Sequence, residues 1–467
     1  MRTAVPAAAA AALLLLAACK TVGPDYAPPA APVAAAFRGA PAPAPGRPPR
    51  KAQAWWTGFN DPLLTAAVEQ ALAGGTTVEG AAARVSQARA AVRAAGAGLY
   101  PTGQLQVDVT HARQSLVGQN AFAASLQQDV DIFAAGLGAA WEADLFGGLR
   151  RDREASRADA QAAEAALAAA RLMVAADTAD AYLQLRGLQA RIALVERRIG
   201  DDRRVVELVG LLFDAGRAPR LQLDQARATL AQAEASTPLL RAAAEAQLNR
   251  LAVLTGRTPE SERGELARER PVPAPPPVPA DLAPADLLRL RPDVAAAERR
   301  LAAANARIGV AISDYYPRLS FQGLVGLQSV GFGDFLSGDA GAGSAAAGLR
   351  WRLFDFGRVD AEVANARGVY AERLADWRAA VLGAAEEVEN ALAFSAERAR
   401  QLDRLQAASL SLERALDAAQ AGYDRGAVSL LDVIDTERQL LITQDAAADA
   451  NAQRARAAVA IRRALGG

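Results

Sequence analysis

Residues 141–147, with the sequence Trp-Glu-Ala-Asp-Leu-Phe-Gly, are followed 210 positions later by Trp-Arg-Leu-Phe-Asp-Phe-Gly at 351–357. After each motif comes a stretch of 67 residues without proline, 148–214 and 358–424. As a helix rising about 1.5 Å per residue, each stretch would be on the order of 100 Å long. A helix of that length fits no compact domain but fits a structure that crosses a cellular compartment. The motif therefore marks, twice in one chain, the point where a very long helix begins.

Two further landmarks repeat in the same order. Leu99-Tyr100-Pro101 corresponds to Tyr315-Tyr316-Pro317 with an offset of 216, and Phe213-Asp214-Ala215-Gly216 corresponds to Tyr423-Asp424-Arg425-Gly426 with an offset of 210. Chance similarity between alanine-rich helices would not place such markers in one order twice. We therefore predict an internal duplication. Each copy has the plan helix, two strands, very long helix, turn and return helix.

The duplication also predicts the segment boundaries. We expect a first repeat at 61–265, a proline-rich linker at 266–282 and a second repeat at 283–467. The preceding segment, 19–60, should be extended. Its stretch from Tyr26 to Arg50 is mostly alanine and proline, so it cannot bury a core and should run along a surface. The predicted first helices of the two copies are 61–98 and 284–314, and the predicted return helices are 221–255 and 430–465.

The predicted strands alternate apolar and polar residues with a period of two, which suits a sheet with two different environments. About ten residues are enough for a tilted membrane strand, and Trp141 and Trp351 lie near strand ends, where interfacial aromatic residues collect. A soluble two-sided hairpin is the alternative. The apolar positions are Leu105, Val107 and Val109, then Leu137, Trp141 and Leu145, then Leu319, Phe321 and Val325, and finally Leu349, Trp351 and Leu353.

Four membrane strands would decide the oligomeric state. In hydrocarbon a sheet cannot keep open edges, because unpaired backbone groups find no water there. Four strands are too few for a barrel, since the smallest membrane barrels have eight. Several chains must therefore pool their strands, and three chains would give twelve.

The first nineteen residues predict a lipoprotein signal. Residues 7–16 form an apolar run too short to span a bilayer, and Ala17-Ala18-Cys19 follows it. Small residues before a lone cysteine form the lipobox of bacterial lipoproteins, so we predict a signal peptide at 1–18 and lipidation of Cys19. An ordinary signal peptide with an incidental cysteine is the alternative. Lys20, in place of an aspartate, favours the outer membrane.

Composition excludes several functional classes. The 52 basic residues balance the 52 acidic ones, which argues against a nucleic-acid binder. With one cysteine and one histidine, the chain can form no internal disulfide and no Cys/His zinc site. Catalysis by a Ser-His or Cys-His pair would depend on His111 alone. We therefore predict neither enzymatic activity nor a cofactor or metal.

Several further motifs stand out in the sequence: Val22-Gly23-Pro24-Asp25-Tyr26, Trp55-Trp56, Phe59-Asn60-Asp61-Pro62-Leu63, Leu290-Arg291-Pro292-Asp293-Val294 and Ser429-Leu430-Leu431-Asp432-Val433-Ile434-Asp435. Together with the motif at 141–147, they resemble the TolC-like outer-membrane efflux proteins, in the lipoprotein branch that includes NodT and OprM. The resemblance implies an α+β membrane protein: a homotrimer whose twelve-stranded outer-membrane β-barrel, four strands per chain, continues into a long periplasmic α-helical barrel. It also implies a passive exit duct for drugs or other small molecules, partnered by a periplasmic adaptor and an inner-membrane pump of the resistance-nodulation-division type.

The resemblance further implies a gate at the periplasmic tip of the helices. Asp432 and Asp435 match positions that line the constriction, and Tyr423 matches a gating tyrosine. Gly216 and Gly426 mark the helix-tip turns that would contact the adaptor. The spacing of Asp432 and Asp435 agrees with this assignment in part, because residues three apart lie on one face of a helix.

Other interpretations remain open at this level. An acidic first turn stabilised by the helix dipole would also explain Asp432 and Asp435, and the first copy has Gln222 and Gln225 there. Val428 stands where the family leads one to expect an arginine, so the latch must differ. A type I protein-secretion duct has the same architecture, and a periplasmic coiled-coil lipoprotein would leave the amphipathic strands unexplained.

Overall fold

The computed structural model describes residues 21–31, 54–113, 129–261, 263–277 and 291–467. Its first copy contains helices α1 (Pro62–Gly74) and α2 (Thr76–Ala97), strands β1 (Thr102–Arg113) and β2 (Asp129–Ala143), and helices α3 (Gly148–Asp214) and α4 (Arg220–Leu254). Its second copy contains helix α5 (Pro292–Ser313), strands β3 (Arg318–Ser329) and β4 (Gly341–Arg350), and helices α6 (Arg358–Asp424) and α7 (Leu430–Ala464). The duplicated plan is confirmed. Among the described helices, none combines the length and apolarity that a bilayer crossing requires.

The helix predictions hold with one correction where the chain is described; for the helix predicted at 284–314, residues 284–290 lie outside the described residues and α5 begins at Pro292. Both long helices have the predicted bounds, and each contains 67 residues. The first helix is not continuous, because Gly75 has an extended backbone conformation, with φ −72° and ψ 126°, that ends α1. The space around Gly75 requires glycine, since a Cβ there would lie 2.5 Å from the Ala71 carbonyl oxygen.

Two strands end earlier than predicted. β2 ends at Ala143 and β4 at Arg350, so Leu145, Trp351 and Leu353 lie outside the strands. Asp144 instead turns to cap α3, where its carboxylate accepts hydrogen bonds from the backbone N–H groups of Leu149 (3.1 Å) and Arg150 (2.9 Å).

The four strands form one antiparallel sheet in the order β1-β2-β3-β4. In the first hairpin Thr102 pairs with Ala140. Adding the sequence offsets of 216 and 210 gives Arg318 and Arg350, which are paired in the second hairpin. The two hairpins therefore share one register, residue for residue, and the duplication extends to strand pairing.

The chain forms two compact units, and each draws on both repeats. The first comprises residues 1–29, 85–162 and 297–377, and the second comprises 30–84, 163–296 and 378–467. The buried residues of the first unit include a cluster of alanines against Tyr26, whereas the second has a larger core. The first cluster contains Ala158, Ala302 and Ala303, and the second core includes Trp55, Phe59, Leu64, Tyr182, Leu183, Leu185, Leu248 and Val459.

Candidate functional site: the sheet, the helix tips and the N-terminal segment

One face of the sheet is apolar and exposed. Leu105, Leu137 and Val325 form a continuous row across three strands, because each is paired with the next, and all three are exposed. The opposite face carries glutamines and small residues, such as Gln104 and Gln322. A broad exposed apolar face opposite a polar one is typical of a membrane strand between lipid and an aqueous lumen.

Each strand-end tryptophan is tied to the end of the preceding helix. The indole N–H of Trp141 donates to the carbonyl of Leu99 (3.1 Å), and that of Trp351 donates to the carbonyl of Tyr315 (3.0 Å). Both carbonyls lie two residues before the proline at which the helix segment ends. The two tryptophans therefore fix strand to helix in the same way in both copies, which composition and spacing did not predict.

The two helix tips have the same backbone geometry. Gly216 has φ 71° and Gly426 has φ 70°, a left-handed conformation that favours glycine after a helix. In each turn the glycine N–H donates to the carbonyl three residues back, and the next N–H donates to the carbonyl five residues back, all at 2.8 Å. Side chains, rather than backbone geometry, therefore distinguish the tips.

Asp432 is part of a helix cap at the second tip. Its carboxylate accepts hydrogen bonds from the Ser429 hydroxyl (2.7 Å) and the Ser429 backbone N–H (2.9 Å). The Asp432 N–H donates in return to the Ser429 hydroxyl oxygen, which completes a capping box. The hydrogen bond from the Ser429 side chain, followed by that from its backbone, lowers the pKa of Asp432. The carboxylate therefore stays ionised at neutral pH.

Asp435 also has partners within its own helix. Its two oxygens accept hydrogen bonds from Arg438 (2.8 Å) and Gln439 (2.9 Å). The corresponding residues of the first tip are uncharged, and that tip begins at Pro219, which has no side-chain oxygen to cap a helix. The second tip is therefore the one that carries carboxylates at these two positions.

Val428, which replaces the expected arginine, faces the last turn of α6. A Cβ built on Gly422 would lie 3.0 Å from the Val428 side chain. Tyr423 is half-buried, whereas Asp424 and Arg425 are exposed on the turn. In this chain the position where an arginine was expected therefore makes an apolar contact, between Val428 and Gly422.

Close to the second tip is a partly buried acidic cluster that sequence analysis missed. Burial raises the pKa of Glu437 on α7, and the charges of Asp202 and Asp201 on α3 raise it further, against the opposing effect of Arg198. Burial likewise raises the pKa of Asp202. The folded state thus holds these protons more tightly than an unfolded chain does. The free energy of unfolding therefore falls as the pH rises from the ordinary pKa of a carboxyl group in the unfolded chain through its raised pKa in the folded state.

The N-terminal motif at 22–26 docks against the first unit. The buried guanidinium of Arg151 on α3 donates to the carbonyls of Val22 (3.0 Å) and Gly23 (3.2 Å) and to the carboxylate of Asp25 (2.7 Å). The Val22 N–H in turn donates to the carbonyl of Phe146 at 3.0 Å. From the sequence we predicted only that the chain runs along a surface after residue 26. The motif at 22–26 is the feature of the sequence that could have indicated a docked segment.

Helix α5 holds the other side of this segment. Asn305 donates to the carbonyl of Pro24 (2.9 Å), and the Tyr26 hydroxyl donates to Glu298 (2.6 Å). Burial, with the Glu298 hydrogen bond as the second cause, raises the pKa of Tyr26. Gly23 lies so near Gly309 that a Cβ on Gly23 would approach the Gly309 Cα to 2.4 Å. Cys19, three residues before Val22, lies outside the described residues.

Gly309→Ala is expected to displace the N-terminal segment, since its Cβ would lie 2.8 Å from both the Val22 carbonyl oxygen and the Arg151 side chain. Limited proteolysis of the purified protein should then cleave near residues 22–31, where the parent chain is protected. Gly368→Ala is the control, because nothing lies within 4 Å of that Cβ. Equal cleavage of the parent and both variants would contradict the assignment.

The remaining family motifs serve packing in the second unit. Arg291 donates to the last carbonyl of α7, at Ala464 (2.7 Å), and to the carboxylates of Asp293 (2.7 Å) and Glu387 (2.8 Å). Asp61 caps α1 and accepts a hydrogen bond from the Tyr182 hydroxyl (2.7 Å). These motifs are therefore structural.

His111 has one hydrogen-bond partner among the residues that the structure describes. Its Nδ1 lies 2.7 Å from Asp131 on the paired strand, and both side chains are exposed. Within the described ranges no group of three His, Cys, Asp or Glu residues could hold a metal ion.

A sheet with one lipid-compatible face, joined to paired helices of extreme length, defines an outer-membrane channel protein. The model of the outer membrane efflux protein family matches residues 67–257 and 283–467, one match in each repeat. The chain belongs to the outer membrane efflux protein family. It is an outer-membrane efflux channel that extends into the periplasm, and the predicted NodT/OprM-type branch is confirmed.

Three comparisons support this assignment. The chain is 31% identical to Nodulation protein T of Rhizobium leguminosarum bv. trifolii, over 91% of this chain and 89% of that protein. It is 32% identical to the pyoverdine export outer membrane protein OpmQ of Pseudomonas aeruginosa, over 88% and 87%. The solved structure of the outer-membrane channel OprN is 35% identical, with a TM-score of 0.85 over 96% of this chain and 99% of that one.

Proposed function

We propose that three copies of this chain assemble into one exit duct for drugs or other small molecules. The duct receives its cargo from a periplasmic adaptor and an inner-membrane pump of the resistance-nodulation-division type. The observation that carries the proposal is the four-stranded sheet, whose apolar face is exposed and whose edge strands β1 and β4 each have one neighbour among the described strands. Such edges need partners in a membrane, and further copies of the chain supply them.

The second helix tip is assigned to the gate. Three copies of Asp432 and Asp435 around one axis would gather up to six carboxylates, and acidic rings favour cations at a constriction. The adjoining turn is held by the backbone carbonyl of Tyr423, which accepts the Gly426 N–H, and by the apolar contact of Val428 with Gly422. The exposed turns at Gly216 and Gly426 are the adaptor contacts. The low pKa of Asp432 supports this assignment, since a charged ring needs ionised carboxylates.

The protein is anchored through lipidated Cys19. The docked segment at 22–26 supports this, because it begins three residues after Cys19 and is fixed beside the end of β2. Mass spectrometry of the mature N-terminus is expected to show an acylated Cys19 as the first residue. A mature chain that starts elsewhere, or an unmodified Cys19, would contradict the lipid anchor. Neither result would contradict the proposed exit duct.

The alternative is the exit duct of a type I protein-secretion system. Deletion of the gene followed by a susceptibility screen against diverse small molecules tests the proposal. We expect sensitivity to several compounds, restored by the intact chain in trans. Unchanged susceptibility combined with loss of a secreted protein would favour the alternative.

A further inference from the structure

We propose that the outer end of the sheet binds the phosphorylated glycolipid of the outer leaflet through a charged belt formed by His111, Arg113, Asp129 and Asp131. The belt lies where β1 ends and β2 begins, at the end of the first hairpin remote from the helices. Because the chain extends into the periplasm, this end of the sheet faces the exterior. The inference depends on the outer-membrane location of the sheet and not on assembly into a duct.

Strand alternation places the belt on the lipid-compatible face of the sheet. His111 lies six residues after Leu105 on β1, and Asp131 lies six residues before Leu137 on β2. An even spacing keeps side chains on one face of a strand, and Leu105 and Leu137 belong to the apolar row of that face. The charged side chains therefore continue the apolar face beyond its outer limit.

Two pairs of aromatic rings mark the limits of the apolar face. Trp141 stacks on Phe321 near the helices, with centroids 5.8 Å apart, and Phe133 meets Phe332 edge-on at 5.5 Å near the outer end. On β2, Trp141 and Phe133 are separated by about 27 Å along the strand, or about 20 Å along the membrane normal at a tilt of about 40°. Aromatic girdles flank an apolar band of about 25 Å in membrane barrels. The belt, which lies just beyond Phe133, is therefore at the level of the headgroups.

Both cations of the belt have N–H groups left for a second partner. The Nδ1 of His111 lies 2.7 Å from the carboxylate of Asp131, so that Nε2 is directed away from that carboxylate. The Nε of Arg113 lies 3.7 Å from Asp129, which is beyond hydrogen-bond distance. All four side chains are exposed, and neither cation has a further hydrogen bond within the described residues. Imidazolium and guanidinium N–H groups are strong donors to phosphate oxygens.

The mixed charge of the belt suits one kind of headgroup. The glycolipid of the bacterial outer leaflet carries phosphates, and divalent cations bridge the phosphates of neighbouring molecules. His111 and Arg113 provide donors to the phosphate oxygens, whereas Asp129 and Asp131 can add oxygen ligands to cations that the phosphates already hold. A headgroup that combines phosphates with bound cations therefore fits the belt better than a free anion does.

The duplication shows that a hairpin forms without such a belt. Under the offsets of 216 and 210, His111 and Asp131 correspond to Leu327 and Gly341, which are paired in the second hairpin. That hairpin therefore closes at the same register with no charged side chain in this pair. Strand pairing does not account for the charges of the first hairpin, which favours a binding role for them.

The segment after β3 supplies an apolar counterpart to the belt. Phe332, whose ring contacts Phe133, is 76% exposed, and Val330 and Leu336 on the same segment are 72% and 85% exposed. Exposed apolar side chains beside an aromatic girdle suit the boundary between acyl chains and headgroups. This end of the sheet thus offers donors to the phosphates and apolar groups to the acyl chains of the same lipid.

Binding of fluorescently labelled lipopolysaccharide to the purified full-length chain in detergent micelles tests the proposal. His111→Gln combined with Arg113→Gln should weaken binding by about tenfold, because charge-assisted hydrogen bonds to phosphate are lost. His111→Lys combined with Arg113→Lys keeps both charges and should retain most of the affinity. Arg350→Gln is the control, since this exposed arginine ends β4 on the side of the helices. Circular dichroism verifies that each variant is folded.

Altered probes identify the group that is bound. Lipopolysaccharide stripped of its phosphates should bind the parent chain as weakly as the intact lipid binds the double glutamine variant, and inorganic phosphate at millimolar concentration should not displace the intact lipid. Equal binding of the intact lipid by the parent and the folded double glutamine variant would overturn the proposal. Undiminished binding of the phosphate-free lipid would overturn it as well. Displacement by inorganic phosphate would overturn the lipid as the ligand.

The apolar segment is tested with the same probes. Phe332→Ala combined with Leu336→Ala should lower the affinity for intact and phosphate-free lipid by the same factor, because contacts with acyl chains are lost. Leu382→Ala is the control, since that leucine is exposed on α6, outside the sheet. A loss confined to the intact lipid, or an equal loss in the control, would overturn the role of this segment. None of these measurements requires a trimer, so failure of the proposed duct would be seen separately, in the susceptibility screen.

Discussion

Val325→Arg is expected to destabilise the assembled protein by about 2–4 kcal/mol, the cost of placing an arginine on the lipid face near the bilayer midplane. Val325 lies in the middle of β3, between β2 and β4, and its exposed side chain belongs to the apolar face of the sheet. Because β3 is a central strand, the loss would reflect the lipid environment rather than an edge contact. Unfolding in urea with the protein in lipid vesicles measures the effect.

Two residues of the same strand provide matched controls. Gln322 and Gln328 lie three positions before and after Val325, on the opposite face of β3. Arginine at either position should cost far less, since these side chains would face an aqueous lumen. If all three variants lost similar stability, or none did, the two faces would share one solvent, and the soluble two-sided hairpin would be the better interpretation.

Asp432→Asn combined with Asp435→Asn is expected to abolish block by divalent cations of the current through the trimer in planar bilayers. The carboxylates attract cations into the constriction, and asparagine removes the charge while it keeps an oxygen that can accept the hydrogen bonds of Ser429 and Arg438. The conductance without divalent cations should change less, because the Tyr423 turn does not depend on the charge. Current recorded with increasing calcium measures the effect.

The first helix tip supplies the control, and pH supplies a second test. Gln222→Ala combined with Gln225→Ala changes the equivalent positions without changing charge and should leave the block intact. Because hydrogen bonds from Ser429 lower the pKa of Asp432, the contribution of Asp432 to the block should persist to a lower pH than that of a carboxylate with an ordinary pKa. Full block by divalent cations in the double asparagine variant would show that Asp432 and Asp435 do not form the cation-binding part of the gate.

The sequence alone determined the elements and their duplication. Proline-free alanine-rich stretches favour helix throughout, so the bounds of both long helices were predictable to the residue. Period-two alternation similarly identified strands around Val107 and Phe321, whereas the lipid signal at Cys19 stays a prediction. These are local signals, since helix propensity, alternation and capping each depend on neighbours in the sequence.

Only the tertiary structure decided which distant groups meet. Arg151 and the motif at 22–26 are more than a hundred residues apart, and no periodicity predicts that a buried guanidinium would bind that backbone. The shared register of the hairpins likewise required the pairing itself, because alternation fixes the face of a strand but not its partner. The capping box at Asp432 depends on side-chain geometry that an acidic residue at helix position three permits but does not require. Long-range pairing is thus decided by complementary packing and hydrogen bonding, which a linear pattern does not contain.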